Sequence, residues 1–315
     1  MDIFVEAIKQ KNLELLQTLI TDMTIDINAK VDNWSGNRII HLVTSPLTVD
    51  SNILKLLLTR EDLDVNIRND FGEFPILNLL FDRPNFLMLL HHPTIDVNIE
   101  TISGVSLLEM VMRKSSDDML KDLLHHPNLI INTVYQNIVR HPLIYAYDKE
   151  DKELEELVKN HPNFDINAVP SEGTRPFLSE LIIQKKCEYA ERILKEFPTI
   201  DVNKRDIHDS APIVFAIGLN VEFTEILLNH PDIEIDIPDI NGYTPIMIAA
   251  FHGLRKSFHL LLRYNPNLTI ESYTGKNILD VANNPHERVK ESTQLNIIQT
   301  LLEYMKKRNI ELCVH

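Results

Sequence analysis

A four-residue phrase (apolar, acid, Ile or Val, Asn) returns along this chain at an almost constant interval. It reads IDIN at 25–28, LDVN at 63–66, IDVN at 95–98, FDIN at 164–167 and IDVN at 200–203. Looser copies are LIIN at 129–132, IEID at 233–236 and NLTI at 267–270. The last residues of successive copies lie between 32 and 38 positions apart. A period held through so many copies means a chain of small units, none able to bury a core alone, that must stack on one another.

An apolar stripe at helical spacing precedes each phrase and stops at His-Pro or a close variant. Examples are MLLHHP (88–93), DLLHHP (122–127), LVKNHP (157–162) and ILLNHP (226–231). Proline cannot continue a helix, and a polar or basic residue before it suits the negative end of the helix dipole. After each phrase come a turn and another helix. The clearest case is Asp239-Ile240-Asn241-Gly242-Tyr243-Thr244-Pro245, running into IMIAAFHG (246–253). Asn-Gly supplies the positive φ of a turn, Thr244 is expected to cap the helix, and Pro245 fits its first turn.

This unit resembles an ankyrin repeat. Residues 239–271 carry the resemblance best, through Gly-x-Thr-Pro at 242–245, Ala249-Ala250, and His259 to Leu262 at family spacing. The resemblance implies an all-α fold: an ankyrin-repeat solenoid of β-turn and helix-turn-helix units in a curved array. Turn tips and inner helices would line the concave side. It covers the chain as a single domain, 1–315, with an N-terminal cap (1–32) and seven repeats (33–271). A C-terminal repeat or cap (272–315) would carry an inserted loop at 283–294. Some repeats depart from the pattern: Thr-Pro becomes Phe74-Pro75, His141-Pro142, Arg175-Pro176 and Ala211-Pro212.

Charge and composition narrow the function. With 46 Asp and Glu against 31 Lys and Arg, the chain is poorly suited to nucleic acid, whose phosphates need clustered cations. The acidity favours a basic protein partner, and solubility alone accounts for it equally well. Cys187 and Cys313 are the only cysteines and make no disulfide framework, which suits a reducing, cytoplasmic setting. Asp2 and Glu6 break up the first apolar run, so no secretory signal is expected. No apolar run is long enough to span a bilayer. A monomer is expected, with no cofactor.

The search for chemistry yields little. His91, His92, His125, His126, His161 and His230 recur at one place in the repeat, before Pro, which reads as a helix stop rather than as shared metal ligands. Cys187 follows Lys185 and Lys186, which would lower its pKa, and an enzyme using it is one alternative. Asp117-Asp118 and Glu155-Glu156 read as solvated helix faces. Ankyrin resemblance further implies possible hydroxylation of Asn66 and Asn98, each with a Leu eight residues earlier (Leu58, Leu90). The preferred reading is a non-catalytic scaffold for protein–protein interaction. A host-directed effector or substrate adaptor of a parasite, virus or intracellular bacterium is a further alternative.

Family resemblance puts binding on the tips and inner helices. Aligning each turn to 239–245 nominates Trp34, Asp70, Phe71, Glu73, Ile102, Arg140, His208, Ile240, Tyr243 and Tyr273. Trp34 is the sole tryptophan, at a tip with no apparent packing demand, and large aromatics are frequent interface hot spots.

Overall fold

Two apolar stripes per repeat should give two helices per repeat, and the helices do form in pairs. The computed structural model describes residues 2–114, 116–132, 141–168 and 175–312. It divides into two compact units, Met1–Phe164 and Asp165–His315. The first holds α1 (Asp2–Lys9) with α2 (Leu13–Thr21), α3 (Ile39–Thr44) with α4 (Ser51–Leu57), and a 3-10 helix (Pro75–Leu79) with α5 (Arg83–Leu90). It continues with α6 (Leu107–Lys114) and α7 (Asp117–Leu124), then α8 (Pro142–Lys149) and α9 (Lys152–Lys159). The second unit pairs α10 (Phe177–Ile183) with α11 (Cys187–Glu196), and α12 (Pro212–Leu219) with α13 (Val221–Leu228). Its last two pairs are α14 (Pro245–Phe251) with α15 (Arg255–Arg263), and α16 (Ile278–Asn283) with α17 (Glu291–Arg308). The fold is all-α, with no strand among the described residues.

Within each unit, first helices pack on first helices and second on second. Thus α10 meets α12, α12 meets α14 and α14 meets α16, while α11, α13, α15 and α17 form the parallel row. In the first unit α2, α4, α5, α7 and α9 make the same row. Its apolar stripes are buried, as at Leu54 and Leu57, Phe86 and Leu89, or Leu120 and Leu123. Each such side chain contributes roughly 1.5–3 kcal/mol on full burial. Asn12, Asp50, Asp82, Ser116, Asp151 and Asn220 start their helices by accepting a first-turn amide hydrogen, which fixes where each second helix begins.

The Asn of the repeated phrase is the rung between neighbouring repeats. Asn66 donates through Nδ2 to the Thr94 carbonyl (2.7 Å) and accepts the Asp96 amide on Oδ1 (2.9 Å). Asn28, Asn98, Asn167 and Asn203 do the same toward Asp62 and Asp64, Asn128 and Ile130, Thr199 and Asp201, and Asp232 and Glu234. A carboxamide offers a donor and an acceptor side by side, so it pairs with backbone as another peptide would. The Asp two residues before it accepts the Asn amide hydrogen, for example Asp64 for Asn66 (2.9 Å), and sets the turn. At the next junction the residue is Asp236. It accepts the Asn267 amide on its carboxylate (3.0 Å), and an ionised carboxylate has no hydrogen to donate.

The recurring histidines work in the turn after each second helix. His161 accepts the Asn163 amide on Nδ1 (3.2 Å) and donates from Nε2 to the His126 carbonyl (3.2 Å). His230 Nδ1 likewise accepts the Asp232 amide (3.2 Å). Where the sequence has Thr59-Arg60 instead, the buried Arg60 guanidinium donates to the carbonyls of Ile20, Asp22 and Ile25 and pairs with Asp62. It thereby ties α4 to the end of α2.

Three expectations need correction. Thr244 occupies the cap position of α14 but makes no capping hydrogen bond, and its buried hydroxyl is left without a partner. Pro245 alone presets that helix start. Glu155 is not on a solvated face: its carboxylate is buried and meets Lys152 (3.1 Å) and Lys159 (3.6 Å). The first helix of the third pair is a 3-10 turn, Pro75–Leu79, rather than an α-helix. Beyond α16, residues 284–290 separate it from α17, whose first turn takes up Glu291 to Gln294.

Candidate protein-binding tips

Four of the described tips are each closed by one polar side chain that accepts amide hydrogens of the turn behind it. Asp32 serves Trp34 and Ser35, Asn69 serves Phe71 and Glu73, Asp206 serves His208 and Ser210, and Asp239 serves Asn241 and Tyr243. The tip glycine has φ of +73° at Gly72 and +81° at Gly242, the left-handed region that favours glycine. The next tip also covers it. A Cβ on Gly72 would lie 2.4 Å from the Ile102 side chain, and one on Gly242 would lie 2.5 Å from the Tyr273 amide nitrogen. Asp70 covers Gly36 in the same way and donates its amide to the Ser35 carbonyl (2.8 Å).

In the first unit this stacking brings Trp34 and Phe71 together. Their rings meet edge to face with centroids 5.1 Å apart. Trp34 nevertheless remains 83% exposed and Phe71 47%. Ile102 continues the exposed row on the following tip. Asp70 is held by Lys30 (2.7 Å), and Glu73 is tied to Asn69 (2.8 Å), so both carboxylates also serve the tips themselves. Arg140 lies outside the described residues. In the second unit Ile240 and Tyr273 are exposed, as is His208, whereas Tyr243 is half-buried and stacks on Phe251 with centroids 6.3 Å apart.

A family model for the ankyrin repeat matches residues 241–272, the tip and helix pair just described. That segment of the chain is an ankyrin repeat. No curated protein matches the chain significantly. Ankyrin repeats are protein-interaction modules in general, and the exposed tip rings are read in that light.

Two side chains escape the tip alignment. Leu47, 94% exposed, lies between α3 and α4, and Phe81, 81% exposed, lies between the 3-10 turn and α5. Both stand in the turn joining the two helices of a pair, in successive repeats. Their signal was a large apolar residue within a polar turn, in SPLTVD and FDRP.

The reactive-cysteine alternative does not fit the surroundings of Cys187. Burial pushes its thiol up to about 11, the Glu222 carboxylate adds to the rise, and Asn220 Nδ2 donates to the sulfur (3.3 Å). Lys185 and Lys186 do not produce the lowering expected of them. At neutral pH the thiolate is about one part in ten thousand, too little for an activated nucleophile. Among the described residues, no group of three or more His, Cys, Asp or Glu is placed to hold a metal ion. No helix among them is long and apolar enough to cross a membrane. Asn66 and Asn98, the hydroxylation candidates, are rungs with both ends of the amide engaged.

Proposed function

We propose that the chain is a non-catalytic, monomeric and cytoplasmic interaction scaffold, one domain of 315 residues, that holds a protein partner on its tips. The main contact is at Trp34 and Phe71, with Ile102 beside them. The observation that carries this reading is the exposure of Trp34. An indole kept in water gives up apolar burial worth about 2–3 kcal/mol, which a partner would recover. The edge contact with Phe71 orients the ring without covering it, so little conformational freedom is lost on binding. The excess of acids, 40 against 22 bases in residues 1–250, supports a basic partner segment.

The test is capture of binding proteins by the wild type, by Trp34→Ala/Phe71→Ala, and by Tyr273→Ala as a tip control in the other unit. A partner that binds the wild type and Tyr273→Ala, and is lost from the double variant by about a hundredfold, supports the reading. Equal capture by all three would move the contact away from these tips.

A further inference from the structure

Charge is divided unevenly along the chain. Residues 1–250 hold 40 Asp and Glu against 22 Lys and Arg, whereas residues 251–315 hold 6 against 9. Four of those cations gather on one edge of the second unit, where the turn between α14 and α15 meets the stretch 284–290. His286 donates its amide to the Phe251 carbonyl (2.8 Å). Val289 packs beside Gly253, 2.8 Å from where a Cβ there would stand. Arg255 and Lys256 open α15, and Arg288 and Lys290 flank Val289. All four are exposed and none forms an ion pair among the described residues, while the exposed Glu287 and Glu291 stand beside Arg288 and Lys290 in the same stretch.

Helix stability does not account for this placement. The N-terminus is the positive end of the helix dipole and disfavours cations. Helices α2, α7, α9, α11 and α13 carry acids in that turn: Glu14, Asp117 and Asp118, Glu153, Glu188, and Glu222. In α15 there is none. Arg83, a cation at the same place in α5, is answered by Asp118 and Asp122.

Beside these cations the surface opens into a cavity of about 300 Å³. Ile217, Leu219 and Val221 line it together with the polar Asn220, Arg255 and Lys256. Gly218 lines it as well, inside α12, with nothing within 4 Å of where its Cβ would be. Glycine weakens a helix interior, and here no packing neighbour requires it. Its effect is to leave the cavity open.

We infer that this edge docks an acidic protein segment, whose carboxylates meet Arg255, Lys256, Arg288 and Lys290 while one apolar side chain enters the cavity. An apolar centre inside a charged rim is the ordinary anatomy of a protein interface. The surface uses neither Trp34 nor Phe71, and each assignment stands without the other.

The test uses the full chain and a fluorescent peptide of Asp and Glu, about ten residues long, with a central Leu. Saturable binding is expected at low salt, weakening as salt rises. Arg255→Glu/Lys256→Glu should reduce affinity by about tenfold or more. Gly218→Leu fills the cavity while improving the helix, so several-fold weakening with an unchanged or raised melting temperature marks loss of the site and not of the fold. Trp34→Ala should bind the peptide like the wild type. The inference is overturned if the charge-reversed variant binds equally well. It is likewise overturned if a Lys-rich peptide of the same length or an oligonucleotide binds as tightly. Sedimentation showing a dimer, abolished by the charge reversal and not displaced by the peptide, would give the edge to a second copy instead.

Discussion

Asn66 joins two repeats with a single side chain, and that defines what its loss should cost. Asn66→Ala removes a donor and an acceptor at once and leaves the Thr94 carbonyl and Asp96 amide to find water. Chemical denaturation should show about 1–3 kcal/mol of lost stability. Asp236 offers the converse experiment. Burial raises its pKa, the Asn267 amide only partly opposing this, so its charged form is disfavoured in the folded chain. A group with a raised folded pKa destabilises at pH values above it, and that penalty fades as pH falls through it. Asp236→Asn should therefore stabilise the chain at pH 7 by about 1 kcal/mol, with the advantage over the wild type shrinking as pH falls toward 4. An advantage constant with pH would mean that ionisation of Asp236 is not the cause. At this scale the sequence was informative because Asn, Asp and Pro act through chemistry they carry wherever they stand. Thr244 was misread because the burial that leaves its hydroxyl without a partner is set by the surrounding helices.

At the scale of elements, the tips are fixed by what lies over them. Gly72 and Gly242 share a left-handed backbone, so alanine at either pays about 1–2 kcal/mol of conformational strain. They differ in the neighbour. Over Gly72 it is the end of the Ile102 side chain, which can turn away; over Gly242 it is the Tyr273 backbone nitrogen, which cannot. Thermal melts should rank Gly242→Ala below Gly72→Ala, and equal losses would show that φ alone governs the tip. The turn signals and helix stops were legible in the sequence because glycine and proline mark backbone geometry directly. The 3-10 turn at Pro75–Leu79 and the burial of Glu155 were not, since no residue type marks either directly. Of the candidate site, the tip positions of Trp34 and Phe71 could be read from alignment to 239–245. Their edge-to-face contact depends on the distance between tips, and Leu47 and Phe81 fall outside the aligned turn.

Across the whole molecule, histidines shielded from water to different degrees tie stability to pH. Burial lowers the pKa of His41, His92, His126, His161 and His252, and takes His141 down to about 3. The unfolded chain takes up these protons near the ordinary histidine value of about 6.5, before the folded chain does. Stability should hold above that pH and fall as pH drops from about 6.5 toward 4, as urea midpoints would register. A midpoint unchanged down to pH 5 would contradict the neutral state of these rings. The proposed interaction surface has its own built-in reporter, because Trp34 is the only tryptophan and Phe71 leaves it largely in water. The most direct test is acrylamide quenching of tryptophan fluorescence, with and without a captured partner. Ready quenching of red-shifted emission in the free chain, with protection and a blue shift on binding, is the predicted result. Emission that is already shielded in the free chain, or that a bound partner leaves unchanged, would contradict the account.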